Sequence, residues 1–140
     1  MPLSKVNEPK GPFNLLRPFL LISYALFYLF PTIFYILINR DFSKLTSVDA
    51  FKDEWFAHFW SYFGPMSREF AEPAVTPLLR NHARGVCLDI GPGSGQWLSL
   101  FSKADNPDIK KIYGIEPNVG FHKTLKENAV KAGLGTNLTS

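Results

Sequence analysis

The sequence predicts an α/β protein in which a parallel β-sheet follows a membrane helix and a helical connector. Two observations lead to this prediction. A long apolar run extends from Pro18 to Ile38, and a later alternation of strand-like and helix-like stretches gives the order β-α-β-α between residues 85 and 134. Strands that alternate with helices form parallel sheets with right-handed crossovers, so the second half of the chain should build such a sheet.

The apolar run predicts a membrane anchor over residues 15–39, which follows a flexible N-terminus at residues 1–14. No charged residue lies between Arg17 and Arg40. A helix of that run would be about 31 Å long, close to the hydrocarbon thickness of a bilayer. Pro31 leaves two arrangements open, a kinked helix that spans the bilayer or a hairpin that enters and leaves the same face.

Composition excludes several classes of partner. The 140-residue chain has a formal net charge of +3, and its basic residues are scattered rather than clustered, so we expect no nucleic-acid partner. The single cysteine, Cys87, excludes an internal disulfide and a zinc site built from several cysteines. His58 and His82 are far apart and the sequence has no HExxH motif, so we expect no metal.

Residues 40–84 are predicted to form an aromatic-rich helical connector. Thr46 or Ser47 can cap a helix that starts near Val48, and Gly64-Pro65 should end that helix. Aromatic residues at helical spacing give it an apolar face, which either packs on the domain that follows or lies in the lipid interface. These residues are Phe51, Trp55, Phe59 and Tyr62, flanked by Phe56, Trp60 and Phe63.

A second helical stretch is predicted from Ser67 to about His82. Prolines at positions 73 and 77 should interrupt it, because proline lacks the backbone N–H that a helix interior uses. Its apolar side chains are expected to be buried, and they are Met66, Phe70, Val75, Leu78 and Leu79.

A glycine-rich loop follows the first predicted strand, Val86–Ile90. Asp89 lies within that strand, and the loop glycines are Gly91, Gly93 and Gly95, after which a helix is predicted to run to about Lys103. The second predicted strand, Lys111–Glu116, ends in the carboxylate of Glu116. Parallel strands bring the loop and Glu116 to the same carboxyl edge, where open α/β sheets bind ligands. Because glycine admits a ligand close to the backbone and a carboxylate can accept ribose hydroxyls, we expect a cofactor that contains a nucleoside.

The loop departs from the dinucleotide fingerprint G-x-G-x-x-G. Its glycines alternate, and Gln96 stands where that fingerprint has its third glycine. The carboxylate of Asp89 would repel a phosphate and attract a cationic or amino-bearing ligand. An NAD-dependent oxidoreductase is therefore the less favoured alternative.

The stretch from Asp89 to Gly95, with the sequence DIGPGSG, resembles the first motif of class I S-adenosylmethionine-dependent methyltransferases. Glu116, some 21 residues after the last glycine, matches the acidic residue of that family at the end of the second strand. The resemblance implies S-adenosyl-L-methionine as cofactor, with Asp89 and the glycine loop at its methionine moiety and Glu116 at its ribose. It assigns no catalytic residue.

The membrane helix, the connector and the continuation Glu116-Pro117-Asn118 resemble membrane-anchored methyltransferase-like proteins, some of which methylate small thiols. The resemblance implies a partial methyltransferase domain at residues 85–140, the first β-α-β-α half of a Rossmann-like methyltransferase fold. Residues 135–140 lead toward a third strand that is not expected to form, so a truncated chain is expected.

Two functions follow from this resemblance. The first is a membrane-anchored methyltransferase that acts on a small-molecule or lipid acceptor, and the alternative is a non-catalytic membrane-anchored fragment. Because S-adenosylmethionine chemistry belongs on the cytosolic side, residues 41–140 are expected to face the cytosol. The membrane is expected to be that of the endoplasmic reticulum or another internal organelle.

Overall fold

The computed structural model describes residues 13–135 and 138–139. Its helices and strands are α1 (Phe13–Phe27), α2 (Leu29–Ile38), α3 (Ser43–Thr46), α4 (Val48–His82), β1 (Gly85–Ile90), β2 (Ile109–Ile115), α5 (His122–Lys131) and β3 (Leu138–Thr139). Short 3₁₀ turns occur at Leu98–Phe101 and Val119–Phe121. The protein is therefore a mixed α/β structure with a long helical N-terminal half.

The described strands form one parallel sheet in the order β1-β2-β3. The parallel pairing of β1 with β2 confirms the predicted sheet, and α5 follows β2 as the sequence indicates. The expectation that the third strand would not form is wrong, because Leu138 and Thr139 pair with Ile112 and Tyr113 of β2. β3 lies on the edge of β2 opposite β1, so it pairs with backbone N–H and C=O groups that β1 does not use.

One face of the sheet carries the hydrophobic core. Side chains from β2, α5 and the 3₁₀ turn at Leu98–Phe101 pack together there, and Ile112 and Leu125 are fully buried. The opposite face is exposed, because the side chains of successive strand residues point to opposite sides of the sheet. Its apolar residues are Val86, Leu88, Ile90, Tyr113 and Ile115.

The helix predicted after the glycine loop is absent. Residues 93–97 form turns, and only a four-residue 3₁₀ helix follows at Leu98–Phe101. The backbone N–H of Gly95 donates to Pro92 O at 2.9 Å and that of Leu98 donates to Gly95 O at 3.2 Å, so tight turns satisfy these groups. The tight turns place Leu98 and Phe101 in the core within a short segment. Ser99 and Ser102 in the same segment are weak helix formers and do not favour a longer helix.

The apolar N-terminal segment is one helix with a break at Tyr28. Leu15–Ile38 is long and apolar enough to cross a membrane. Pro31 has no N–H to offer Phe27 O. At the break itself, Tyr28 N donates to Ala25 O at 3.1 Å, three residues back rather than four. The backbone of Tyr28 stays in the right-handed helical region, so the chain is kinked rather than folded into a hairpin.

The connector is a single 35-residue helix, α4, rather than two helices. The hydroxyl of Ser47 accepts from Ala50 N at 3.3 Å, which confirms the predicted cap near Val48. The predicted end at Gly64-Pro65 is wrong. Pro65, Pro73 and Pro77 are all exposed, and the helix continues through all three.

The predicted burial along the second half of α4 is partly wrong. Leu79 packs against the core of the sheet domain, whereas Met66, Phe70 and Leu78 are more than half exposed. Met66 and Phe70 lie beside Leu20 and Leu21 of α1, where the two helices form an open apolar groove. Helical periodicity identified the apolar side of this stretch but not which part of that side meets the sheet domain.

Candidate functional site

A cleft of about 370 Å³ lies at the carboxyl edge of β1 and β2. Four of the five site residues predicted from the sequence line it: Asp89, Gly91, Gly93 and Glu116. Gly95 does not line this cleft, because this end of the loop lies against Leu98 and Leu125 of the core. The parallel register of β1 and β2 places the glycine loop and Glu116 together, as the sequence predicts.

Glu116 ties the glycine loop to the end of β2. Its Oε2 accepts a hydrogen bond from Gly93 N at 2.7 Å, and its Oε1 accepts one from Asn118 N at 2.8 Å. Each carboxylate oxygen can accept more than one hydrogen bond. Glu116 can therefore hold the loop and still accept hydroxyl groups from a ligand in the cleft.

The loop glycines serve different purposes. Gly91 has φ of +72°, and a Cβ at this position would meet no atom within 4 Å, so open space lies beside its backbone. Gly95 has φ of +83°, and a Cβ there would lie 2.6 Å from Leu98 Cδ1 and 3.1 Å from Leu125 Cδ1. Gly91 therefore leaves room on the cleft side, while Gly95 allows the loop to lie against the core.

Asp89 is half-buried at the base of the cleft. Among the described residues, none donates a hydrogen bond to its carboxylate. Burial away from water raises the pKa of Asp89, and the negative charge of Glu116 raises it further. An ionised carboxylate in this position lacks a compensating partner, and a cationic ligand group would supply one.

Replacing Asp89 by asparagine is expected to raise the unfolding temperature at neutral pH. The native state holds the Asp89 proton more tightly than the unfolded chain. The stabilisation that protonated Asp89 provides is therefore present below the ordinary aspartate pKa. It is lost as the pH rises through the raised pKa of Asp89 in the native state. Differential scanning fluorimetry of Asp89→Asn should show a gain at neutral pH that shrinks on acidification.

Asp49→Asn is the control for this prediction. Asp49 lies exposed at the start of α4, and its hydrogen bond from Lys52 lowers the pKa of its carboxyl group. Its replacement should give no gain at neutral pH. A neutral-pH unfolding temperature for Asp89→Asn at or below that of the unmodified protein would contradict the prediction.

Helix α4 supplies a wall of the cleft that the sequence did not identify as part of the site. Phe56 and Trp60 line the cleft, and their rings stack with centroids 5.8 Å apart. Trp60 Nε1 lies 3.2 Å from the point that a Cβ on Gly93 would occupy. Among the described residues, none accepts a hydrogen bond from this indole N–H. The only sequence signal was the helical spacing of the aromatic residues, which is more often a sign of packing.

Arg68 of α4 holds the far side of the loop. Its Nη1 donates to Gln96 O at 2.6 Å, and its guanidinium carbon lies 5.4 Å from the ring centroid of Trp97. Asn128 of α5 adds a hydrogen bond from Nδ2 to Ser94 O at 2.7 Å. The loop is thus fixed by both neighbouring helices, although its own helix is absent.

Asn118 and His122 position the end of β2. Asn118 Nδ2 donates to Asp53 O of α4 at 3.0 Å, and its Oδ1 accepts from Gly120 N at 2.8 Å. His122 Nε2 lies 2.8 Å from Glu116 O. Both residues act through the backbone around Glu116, so they position the site without lining the cleft.

The electrostatic character of the cleft favours a cation. Two carboxylates, Asp89 and Glu116, face it beside aromatic rings. Of the described residues that line it, none is a lysine, an arginine or a histidine. An arrangement of this kind suits a ligand that combines positive charge, hydroxyl groups and flat apolar surface, and it offers no charge partner to a phosphate.

The part of the chain that the structure describes contains no cluster of three or more histidine, cysteine, aspartate or glutamate side chains that could hold a metal ion. Comparisons of the chain with known protein families, with curated proteins and with solved structures find no match.

Proposed function

We propose that this protein binds S-adenosyl-L-methionine and belongs to a membrane-attached methyltransferase that acts on a small-molecule or lipid acceptor. The observation that carries the proposal is the convergence of Asp89, the glycine loop and Glu116 in one cleft. When bound, the cofactor supplies a methyl group that is activated by its sulfonium charge. The Rossmann-like methyltransferase fold is part of the same proposal.

The residues of the cleft fit the chemical groups of this cofactor. Asp89 has no partner among the described residues and would face the ammonium group of the methionine moiety. Glu116 would accept the ribose hydroxyls, and the open space beside Gly91 would admit the ligand close to the backbone. Phe56 and Trp60 offer apolar surface for the adenine ring or the sulfonium.

An NAD-dependent oxidoreductase remains the less favoured alternative. A dinucleotide carries a pyrophosphate, which usually lies at the N-terminus of a helix after the loop. Here the residues after the loop form turns and a four-residue 3₁₀ helix. The carboxylates of Asp89 and Glu116 would also repel the pyrophosphate.

Membrane attachment is supported by the apolar helix at Leu15–Ile38. Most of its large side chains are exposed, including Phe19, Phe30 and Phe34, which are 68%, 74% and 65% exposed. An apolar surface of this extent on a helix is typical of contact with lipid. We propose an internal membrane such as the endoplasmic reticulum, with residues 41–140 on the cytosolic side, where S-adenosylmethionine is made.

Isothermal titration tests the cofactor proposal. The 140-residue protein in detergent should bind S-adenosylmethionine and S-adenosylhomocysteine, and it should bind NAD at least tenfold more weakly. Absence of binding by either sulfur compound, or preferential binding of NAD, would overturn the proposal.

A non-catalytic membrane-bound protein is the second candidate. The exposed apolar face of the sheet, with Val86, Leu88 and Ile90, favours it, because the domain as described leaves that face uncovered. Transfer of a radiolabelled methyl group to thiol or lipid acceptors would distinguish the two candidates. Transfer supports the enzyme, and cofactor binding without transfer supports the second candidate.

A further inference from the structure

We infer that the apolar helix Leu15–Ile38 lies in the plane of the membrane within one leaflet and does not cross the bilayer. The inference rests on the membrane attachment proposed above and concerns its geometry. It follows from what is packed against the middle of this helix. The partner is the outer part of one phospholipid leaflet.

Helix α4 contacts the apolar helix near its midpoint. Trp55 Nε1 donates to Ala25 O at 2.8 Å, and the ring of Tyr28 lies 5.1 Å from that of Tyr62. Thr32 and Ile36, the next residues along this side of the helix, are fully buried. If Leu15–Ile38 crossed the bilayer, these contacts would place α4 close to the centre of the hydrocarbon region.

Polar and charged groups lie next to this contact, on α4 and in the segment that precedes it. Glu54, next to Trp55, pairs with Lys44 at 2.8 Å, and Lys44 also pairs with Asp41 at 2.9 Å. His58 lies one turn further along, with its ring 4.7 Å from that of Tyr35. Ionisable side chains inside a membrane are costly, and a helix that carries them belongs at the headgroup level or in water.

The sheet domain is attached to the same stretch of α4. Asn118 Nδ2 donates to Asp53 O, two residues before Trp55, and Phe121 packs against Phe56 with ring centroids 5.9 Å apart. A spanning helix would therefore draw the edge of the sheet domain into the bilayer. Open sheet edges and irregular loops do not occur where they would face lipid. The observed packing and a spanning helix exclude each other.

The surface of the apolar helix away from α4 suits lipid. Its side chains form a stripe at helical spacing and are exposed: Phe19, Ile22, Leu26, Phe30, Ile33 and Leu37. Arg17 and Arg40 lie at its two ends and are exposed. A helix is about 10–12 Å across and one leaflet has about 15 Å of hydrocarbon, so an in-plane helix fits one leaflet. Both arginines can then reach phosphates of the same headgroup layer.

Cysteine accessibility tests the geometry. In a Cys87→Ser background, single cysteines at Ser4 and at Lys103 report the two sides of the apolar helix. The protein is synthesised with sealed microsomes and treated with a membrane-impermeant maleimide. We expect both positions to react without detergent, while a lumenal marker protein stays protected. If one of the two positions reacts only after detergent is added, the helix crosses the bilayer and the inference is overturned.

Flotation separates this inference from the attachment on which it rests. Failure of the protein to float with phosphatidylcholine–phosphatidylserine vesicles would overturn both the attachment and its geometry. Flotation together with protection of one cysteine would overturn the geometry alone.

Depth measurements distinguish an in-plane helix from a hairpin that also returns to one side. Bimane is attached to single cysteines at Leu16, Phe30 and Leu37, all on the outer face. Quenching by shallow and deep spin-labelled lipids should place the three labels at similar depths in one leaflet. A label at Phe30 near the bilayer centre, with shallow labels at Leu16 and Leu37, would overturn the inference.

Discussion

Replacing Gly95 by alanine is expected to lower the free energy of unfolding of the sheet domain by about 2–5 kcal/mol. A positive φ costs an L-residue about 1–2 kcal/mol, and an extra methyl group in a packed core costs about 1–3 kcal/mol. The new Cβ would lie 2.6 Å from Leu98 Cδ1 and 3.1 Å from Leu125 Cδ1. Both leucines are fully buried, so neither side chain can move aside easily. Urea unfolding in detergent, followed by tryptophan fluorescence, measures the loss.

Gly91→Ala is the matched control for this prediction. Gly91 also has a positive φ, of +72°, but a Cβ at that position meets nothing within 4 Å. Its replacement should cost only the backbone term, about 1–2 kcal/mol. Equal losses for the two variants would show that the loop does not press on the core at Gly95. A Gly95→Ala protein as stable as the unmodified one would contradict the geometry of the loop.

Local sequence patterns predicted the parts of the fold that local physics determines. The apolar stretches around Cys87 and Ile112 form adjacent parallel strands, and Glu116 follows directly after β2. Ser47 caps α4 because a side-chain oxygen satisfies a free N–H at a helix start. Phe121, Leu125 and Ala129 are buried on one side of the second 3₁₀ turn and α5, since residues four apart share one side of a helix.

Predictions failed where tertiary contacts or solvation overrode a local signal. Prolines usually end helices, but Pro65, Pro73 and Pro77 are exposed along α4, and the helix continues through all three. The residues after the glycine loop have a helical pattern, yet turns replace the helix, and Arg68 and Asn128 hold the loop by hydrogen bonds to its backbone carbonyls. Neither contact is visible in the loop sequence.

The missing part of the predicted site came from an element distant in the chain. Motif spacing identified Asp89, Gly93 and Glu116, since these residues lie on consecutive elements of one sheet edge. Trp60 was interpreted only as part of an aromatic face, because helical spacing does not reveal what a face contacts. That face contacts two partners: Phe59 packs with Tyr24 and Tyr28 of the apolar N-terminal helix, and Phe56 packs with Phe121 beside the cleft.

Replacing Glu116 by glutamine is expected to weaken the binding of S-adenosylmethionine by about 10- to 100-fold. A hydrogen bond to a charged acceptor contributes about 1.5–3 kcal/mol, and the carboxylate would accept the ribose hydroxyls. Its two oxygens already accept from Gly93 N and Asn118 N. Glutamine has one acceptor oxygen and an NH₂ group, so one of these backbone N–H groups would face a donor. Isothermal titration of both proteins in detergent measures the loss.

Glu127→Gln provides the control, since Glu127 is exposed on α5 and does not line the cleft.

Because the ribose is common to S-adenosylmethionine and S-adenosylhomocysteine, Glu116→Gln should weaken the binding of S-adenosylhomocysteine by a similar factor. Asp89→Asn should also weaken the binding of both ligands, since Asp89 would face the ammonium group that the two ligands share. An unchanged affinity of Glu116→Gln for both ligands, in a protein that unfolds at the normal temperature, would remove Glu116 from the site. The two substitutions therefore test hydroxyl recognition at the end of β2 and charge recognition at the end of β1.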